Sequence, residues 1–347
     1  MARVGGVKGF WDTMKSVSVA EIAKEANRPL SVAVVGDPKR RAEAIEALFA
    51  APSAGSSQEA IPARALPEPP FVQEFDSTAE ASQFPQQPGI FDFVIDMGGG
   101  RIDAPEGTPI YSVAELGGWE NTLQRILEDR PDLALALARN FPVFRRRVSQ
   151  ALIAQTAAVN AQFALVTGIT QAIPLTAILL PVNSLSDIVI LTKNQVMMSL
   201  RLAAVYGLPV DYKSRMKELA PILANAFGWR AVARELVGAV PGVGFIARAM
   251  IAYAGTMTVG KAAQLYYETG ETATKSQLQR LYQEAFETSR ETVRALAASL
   301  RRGSGGDGGG SRRRLAARRP ARNGSELPPD EAPLGIEETE PEGSMNG

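Results

Sequence analysis

Apolar and polar residues follow three patterns along the chain, and each pattern predicts a different kind of element. Two short runs rich in Val and Phe, LSVAVVGDP from Leu30 and FDFVID ending at Asp96, predict buried strands. Apolar residues at helical spacing predict helices in RRAEAIEALFA and from Trp119 onward. The stretch from Val148 to Ser186 contains no Asp, Glu, Lys or Arg and therefore needs a non-aqueous partner. That partner is either the other helices of the domain or a lipid bilayer.

These patterns predict a fold class of α/β plus all-α, in four parts. Residues 1–29 predict an amphipathic helical lead-in, and residues 30–118 a small, shortened parallel sheet with one or two flanking helices. Residues 119–300 predict a mostly helical, hydrophobic domain. Residues 301–347 carry arginines followed by acidic residues with almost no apolar content, which predicts a disordered C-terminal tail.

The helical part contains two apolar segments, at about 161–182 and 236–259, that raise the question of membrane insertion. Each is interrupted by a proline, Pro174 in the first and Pro241 in the second, and the second also contains Arg248. Because a charge at the bilayer centre costs roughly 2.5 to 3.5 kcal/mol, hairpins that re-enter or pack as core are favoured over a straight transmembrane helix. The sequence leaves open whether these segments span, re-enter or only pack.

Composition narrows the function classes. The chain of 347 residues has 37 basic and 37 acidic residues, so its net charge gives no reason to expect a nucleic-acid partner. It contains no Cys and no His, which excludes thiol catalysis, Ser-His-Asp triads and the common zinc sites. We assign no catalytic residue and expect no metal site. The N-terminal sequence lacks the features of a secretory signal, which indicates the cytosolic side.

The strand, glycine turn and helix around Gly36 have the frame of a phosphate-binding loop. A working loop reads G-x-x-x-x-G-K-[ST], because backbone amides cradle the phosphates while Lys and the hydroxyl reach the β/γ-phosphates and magnesium. Here Arg41 stands at the second glycine position, Ala42 at the lysine position and Glu43 at the hydroxyl position. The sequence therefore predicts a degenerate loop without nucleotide hydrolysis.

Two further remnants accompany this frame. The positive charges of Lys39 and Arg40 would still attract an anion weakly to the start of the helix. Asp96 and Gly99 match the D-x-x-G pattern of a magnesium and γ-phosphate contact, but no base-recognition motif of the [NT]-K-x-D type follows. A structural remnant is the favoured interpretation, so no cofactor is expected. GTP with magnesium is the alternative, through an unorthodox site that uses Lys39 and Asp96.

Polar residues form a stripe within the helical part. Asp187, Asn194 and Arg201 are spaced by heptads, and Lys193 and Arg248 supply nearby positive charge. Because an unpaired buried ion is costly, we expect Asp187 or the Asn194 amide to meet Arg248 or Lys193 across a helix interface. An ion or proton pathway is the alternative.

Three consecutive arginines, Arg145 to Arg147, stand immediately before the uncharged stretch. Such a cluster beside an apolar segment is typical of the cytoplasmic side of a membrane, where anionic lipid attracts it. A solvated helix face explains it equally well.

Two long segments carry a resemblance to a known family: GITQAIPLTAILLPVNSLSDIVILTKNQVMMSLRLAAVYG and RELVGAVPGVGFIARAMIAYAGTMTVGKAAQLYYETG. They resemble the YcjF-type bacterial domain of unknown function, which often follows an Era-like or dynamin-like GTPase domain. The resemblance covers about residues 10–295 and extends to the lead-in SVAEIAKEANRPLSVAVVGDP. It implies a helical domain, a neighbouring GTPase-like module and association with the bacterial inner membrane. The family offers no established catalytic residues.

The expected function is therefore that of a membrane-associated structural or interaction protein whose GTPase-like domain has lost nucleotide binding. Membrane lipid is the expected partner, with a protein partner or a second copy also open, and the expected location is the cytoplasmic side of the bacterial inner membrane. A GTP-dependent membrane-associated protein and a soluble, cytoplasmic helical adaptor are the alternatives.

Overall fold

A small parallel sheet and a set of long helices make up the part of the chain that the structure, a computed structural model, describes. The described residues are 19–50, 70–76, 84–85, 87–98, 102, 104–172, 184–210 and 244–304. The predicted combination of a small parallel sheet with a mostly helical chain is confirmed. The division into parts at residues 29 and 118 stays a prediction. The tail predicted to begin at residue 301 begins later, because the last helix continues to Ser304, and the residues beyond lie outside the described part.

Four parallel strands form the sheet in the order β2-β1-β3-β4. Their bounds are β1 Ser31–Gly36, β2 Phe71–Asp76, β3 Phe93–Asp96 and β4 Ile110–Ser112. The central strands β1 and β3 are nearly continuous apolar runs because both of their faces are covered. Strand β2 lies at one edge and is partly exposed.

Eight α-helices complete the described part of the chain. They are α1 Val19–Ala26, α2 Pro38–Phe49, α3 Trp119–Asp129, α4 Ala134–Asn140, α5 Arg145–Ala172, α6 Ser184–Val205, α7 Gly244–Thr269 and α8 Lys275–Ser304. Prolines start the short 3-10 turns Pro131–Leu133 and Pro142–Phe144 on either side of α4. Among these described helices, none combines the length and apolarity needed to cross a membrane.

The long helices α5, α6 and α7 pack as a three-helix bundle with a defined register. Asn160 of α5 meets Thr256 of α7, and a Cβ at Gly260 would touch Ile153, so these two helices run antiparallel. Gln195 of α6 also meets Thr256. Further along, Tyr206 at the end of α6 stacks on Tyr267, so α6 and α7 run parallel.

One hydrophobic core joins the sheet to the helices. Val32, Phe93 and Ile95 from one face of the sheet belong to the same buried cluster as residues of all eight described helices. The other face of the sheet, with Ala33 and Val94, packs against a smaller cluster that contains Phe84, Phe91 and Phe75. The described residues up to Ser299 accordingly belong to one compact unit.

An ion network ties the start of the sheet to the turn before α4. Arg28 contacts Asp132 at 2.7 Å and Asp92 at 3.0 Å, and a second oxygen of Asp92 accepts from the Ser31 amide at 3.0 Å. Arg130 donates from two nitrogens to the two oxygens of Asp132, both at 3.1 Å. This fork between Arg130 and Asp132, supported by Arg28, lowers the pKa of Asp132 to about 2.

The depressed pKa of Asp132 predicts a loss of stability in acid. Its stabilising contribution is present above the ordinary carboxyl pKa, near pH 4, and disappears as the pH falls through about 2. Asp132→Asn is therefore expected to cost about 1 kcal/mol at pH 5, because the half-exposed pair is screened, and almost nothing near pH 2. Urea unfolding at both pH values measures this, with the exposed Glu46→Gln as the control. An equal loss at both pH values would contradict it.

Candidate functional site

Ligands of parallel α/β sheets bind at the carboxyl ends of the strands, so this edge is the first place to look for a site. Here β1, β2 and β3 end at Gly36, Asp76 and Asp96, and α2 begins beside them. The degenerate phosphate-loop frame and the D-x-x-G pattern both fall on this edge. The geometry of the edge therefore decides whether an anion could be held.

The turn between β1 and α2 consists of Asp37 alone. Pro38 at the first helical position has no N–H, while the amides of Lys39 and Arg40 both donate to Oδ1 of Asp37 at 3.1 Å. The amide of Arg41 donates to the Asp37 carbonyl oxygen at 3.0 Å. The amides at the start of α2 thus already have partners within the chain.

Two arginines of α2 extend over the strand ends. Arg40 donates to the carbonyl oxygen of Met97 at 3.0 Å, just beyond β3. Arg41 donates to the Gly36 carbonyl at 2.8 Å and to Glu74 of β2 at 3.1 Å. Arg41 occupies the position where a phosphate loop has glycine, and its guanidinium covers the ends of β1 and β2.

Gly36 and Asp96 also have roles within the fold. A Cβ added at Gly36 would lie 2.8 Å from the Met97 Cβ, so the glycine permits close packing between β1 and the end of β3. Oδ1 of Asp96 accepts from the Gly98 amide at 2.8 Å, which closes the turn after β3. Gly99 lies outside the described residues. Within the part of the chain that the structure describes, no cluster of three or more acidic side chains could hold a metal.

The residues of the predicted polar stripe lie on α6 and α7, and each has different contacts. The Asn194 amide donates at 2.7 Å to Asn160 of α5. Arg201 lies 4.0 Å from Glu25 of α1. Lys193 is half-buried and Arg248 is exposed, and both take part in further interactions. Asp187 lies in α6, but its side chain is outside the described part, so its pairing with Arg248 stays a prediction.

A buried polar network lies at the centre of the bundle. The Asn160 amide donates to Oγ1 of Thr256 at 2.9 Å, and the Gln195 amide donates to the same oxygen at 3.2 Å. The Thr256 hydroxyl donates in turn to the Ala252 carbonyl at 2.7 Å. Asn160 and Thr256 are fully buried. Together with the Asn194 contact to Asn160, the network joins α5, α6 and α7 and fixes their register, since a shift would leave buried polar groups unpaired.

The arginine cluster at the start of α5 contacts the protein itself. The Arg145 guanidinium lies 5.9 Å from the centre of the Tyr206 ring, and Arg147 pairs with Glu120. Arg146 is exposed. Next to this cluster, Tyr206 donates to Glu268 at 2.6 Å. Burial and then this hydrogen bond raise the pKa of Tyr206 above its usual value, which keeps the hydroxyl protonated as the donor.

Four residues of these sites were not singled out from the sequence. Asp37 had a readable signal, because Asp before Pro at a helix start is a typical N-cap. No local sequence signal identifies the other three, Asn160, Gln195 and Thr256, because their hydrogen-bond partners lie on other helices. Searches against protein-family models, curated proteins and solved structures match nothing to this chain.

Proposed function

We propose that this chain is a non-enzymatic, membrane-associated structural or interaction module in which a GTPase-like sheet has lost nucleotide binding. The helical part corresponds, in this proposal, to a YcjF-type domain, and the sheet to a shortened relative of the GTPase domain that precedes it. The lipid partner and the cytoplasmic face of the bacterial inner membrane are parts of the same proposal.

The main support for a loss of nucleotide binding is the start of α2, where the backbone amides already donate to Asp37. A phosphate at a helix N-terminus is held by free backbone amides. In this chain the Asp37 carboxylate accepts from two of those amides, and it would repel a phosphate placed there. The helix begins at Pro38, so the sequence that would form a phosphate loop is the first turn of α2 instead.

We expect no saturable binding of fluorescent GTP or GDP in the presence of magnesium, up to protein concentrations of about 100 μM, where even a millimolar Kd gives a measurable signal. Asp37→Ala, which frees two amides, is the informative variant. It is expected to remain negative, because Arg41 still lies over the strand ends. Micromolar binding that is lost in Lys39→Ala and Asp96→Asn would establish the GTP-dependent alternative.

Association with lipid is supported by the surface of α5. This helix has 28 residues, and no residue after Arg147 is charged. Its outward side exposes Val159 and Val166, with Gln162 between them and Ala151, Ala154 and Gln155 before them. Water-facing helix surfaces normally carry charged residues, so this surface favours a partner less polar than water.

We expect the purified protein to float with vesicles of mixed phosphatidylcholine and phosphatidylglycerol in a density gradient. In cells, we expect it in the membrane fraction before alkaline carbonate treatment, and carbonate then separates integral from peripheral association. Recovery entirely in the soluble fraction, together with no flotation, would establish the soluble adaptor alternative.

A further inference from the structure

Three helix ends meet at one end of the bundle. Because α5 runs antiparallel to α6 and α7, the end of α5 at Ala172 lies at the same end of the bundle as the starts of α6 and α7, Ser184 and Gly244. We name this the apolar end. The opposite end carries Arg145, Tyr206 and the contacts to the sheet region.

Exposed apolar side chains lie near the apolar end. Val166 of α5 is 45% exposed and Ile190 of α6 is 39% exposed. Each lies six residues from its helix terminus, which corresponds to about 9 Å along the helix axis. Val159, which is 48% exposed, lies two turns further from the end on α5. Val166 and Ile190 therefore belong to two helices but are exposed at a similar height along the bundle.

The sequence that directly adjoins these helix ends, outside the helices, contains no Asp, Glu, Lys or Arg. The connection from α5 to α6 reads IPLTAILLPVN, and the residues immediately before α7 read LVGAVPGV. The exposed side chains of α5 and α6 near this end and the sequence that adjoins it are therefore both predominantly apolar.

We propose that the apolar end, with Val166 and Ile190, is the surface that enters the bilayer, to the depth of the boundary between headgroups and acyl chains. We commit to lipid rather than a folded protein as the occupant, because the exposed side chains belong to separate helices and the sequence that adjoins the helix ends is uncharged. Asp187 and Arg248 lie close to the helix starts, so charge at this level favours shallow insertion over spanning.

This inference rests on the proposed membrane association, and the test separates the two. The chain contains no Cys, so single cysteines can be labelled cleanly with an environment-sensitive nitrobenzoxadiazole probe. Val166→Cys and Ile190→Cys report on the apolar end. Gln155→Cys, exposed on the same helix about 16 Å further along its axis, and Ala295→Cys on α8 are the matched controls.

With phosphatidylcholine and phosphatidylglycerol vesicles, the probes at positions 166 and 190 are expected to gain intensity, shift to shorter wavelength and be quenched by doxyl lipids. The probes at 155 and 295 are expected to change little. If the protein floats with the vesicles but the probes at positions 166 and 190 show no change in fluorescence, the inference is overturned and membrane association stands. Absence of flotation would overturn both. A blue shift that depends on protein concentration without vesicles would assign the apolar end to a second copy and overturn the inference.

Charge substitutions supply an independent measurement. Val166→Glu and Ile190→Glu are expected to weaken vesicle binding about tenfold each, because a carboxylate must then leave water. Gln155→Glu adds the same charge to an exposed position of α5 and is expected to have little effect. Circular dichroism checks that all three variants are folded. Equal binding by all three would overturn the inference.

Discussion

Replacing Gly260 by alanine is expected to lower the free energy of unfolding by about 2 kcal/mol, through overpacking between α5 and α7. A Cβ at this position would lie 2.6 Å and 2.7 Å from the two γ-carbons of Ile153. Ile153 is only 1% exposed, and its β-branched side chain has one strongly preferred rotamer in a helix. The two helices would have to separate, which disturbs the neighbouring polar network. Urea unfolding followed by circular dichroism measures the loss.

Gly255 provides a control of opposite sign in the same helix. A Cβ there would meet no atom within 4 Å, so Gly255→Ala is expected to gain about 0.5 to 1 kcal/mol from the reduced backbone entropy of the unfolded chain. Ile153→Ala is the second control, because it removes both γ-carbons.

In the Ile153→Ala background, Gly260→Ala is expected to cost nothing further, so the two substitutions couple by about 2 kcal/mol. A loss in Gly260→Ala that persists unchanged without the isoleucine side chain would contradict the packing explanation.

The central part of the sheet was predictable because its signal is local. The runs LSVAVVG and FDFVID are buried on both faces, and such strands are recognised by apolar residues bounded by glycine and proline. Strand β2, FVQEFD, lies at the edge of the sheet and is partly exposed. Strand β4 was not predicted. It has three residues, and its pairing with β3 rather than its own pattern places it in the sheet.

Asp37 illustrates a signal that was present but misassigned. The sequence Gly36-Asp37-Pro38 can be aligned with the start of a phosphate loop, and that alignment treats Asp37 as a variable position. The same residues also form a typical helix start, with Asp as N-cap and Pro at the first position. The structure follows the second pattern, because helix α2 begins at Pro38. A local capping rule therefore outweighed a degenerate motif.

The polar network shows where prediction from one sequence ends. Asn194 was singled out as a stripe residue, but Asn160 lies within the uncharged stretch and gives no sign of being central. Its contacts reach Asn194 and Thr256, on helices that are distant in the sequence. Such pairs are fixed by the packing of α5 against α6 and α7, which helical periodicity alone does not determine. The sequence therefore predicts the helices of the bundle but not their register.

The network predicts a large and pH-dependent effect for Asn160→Asp. At pH 7 the variant is expected to lose about 3 to 5 kcal/mol of unfolding free energy relative to the unmodified protein. The ionised carboxylate would face Oγ1 of Thr256, which has already committed its hydrogen to the Ala252 carbonyl. Two acceptors would then face each other in a site without water access, since Asn160 and Thr256 are fully buried.

The sign of the pH dependence distinguishes this explanation from a simple loss of packing. The variant is closest in stability to the unmodified protein in acid, because its neutral carboxyl can donate to Thr256 as the Asn160 amide does. Burial raises the pKa of the introduced carboxyl above its unfolded value of about 3.9, so the deficit grows as the pH rises from about 4. Gln162→Glu, at an exposed position of the same helix, is expected to stay within about 0.5 kcal/mol at every pH. A deficit in Asn160→Asp that is equal at pH 4 and pH 7 would show that the network does not sense the charge, and that α5, α6 and α7 are held in register by apolar contacts alone.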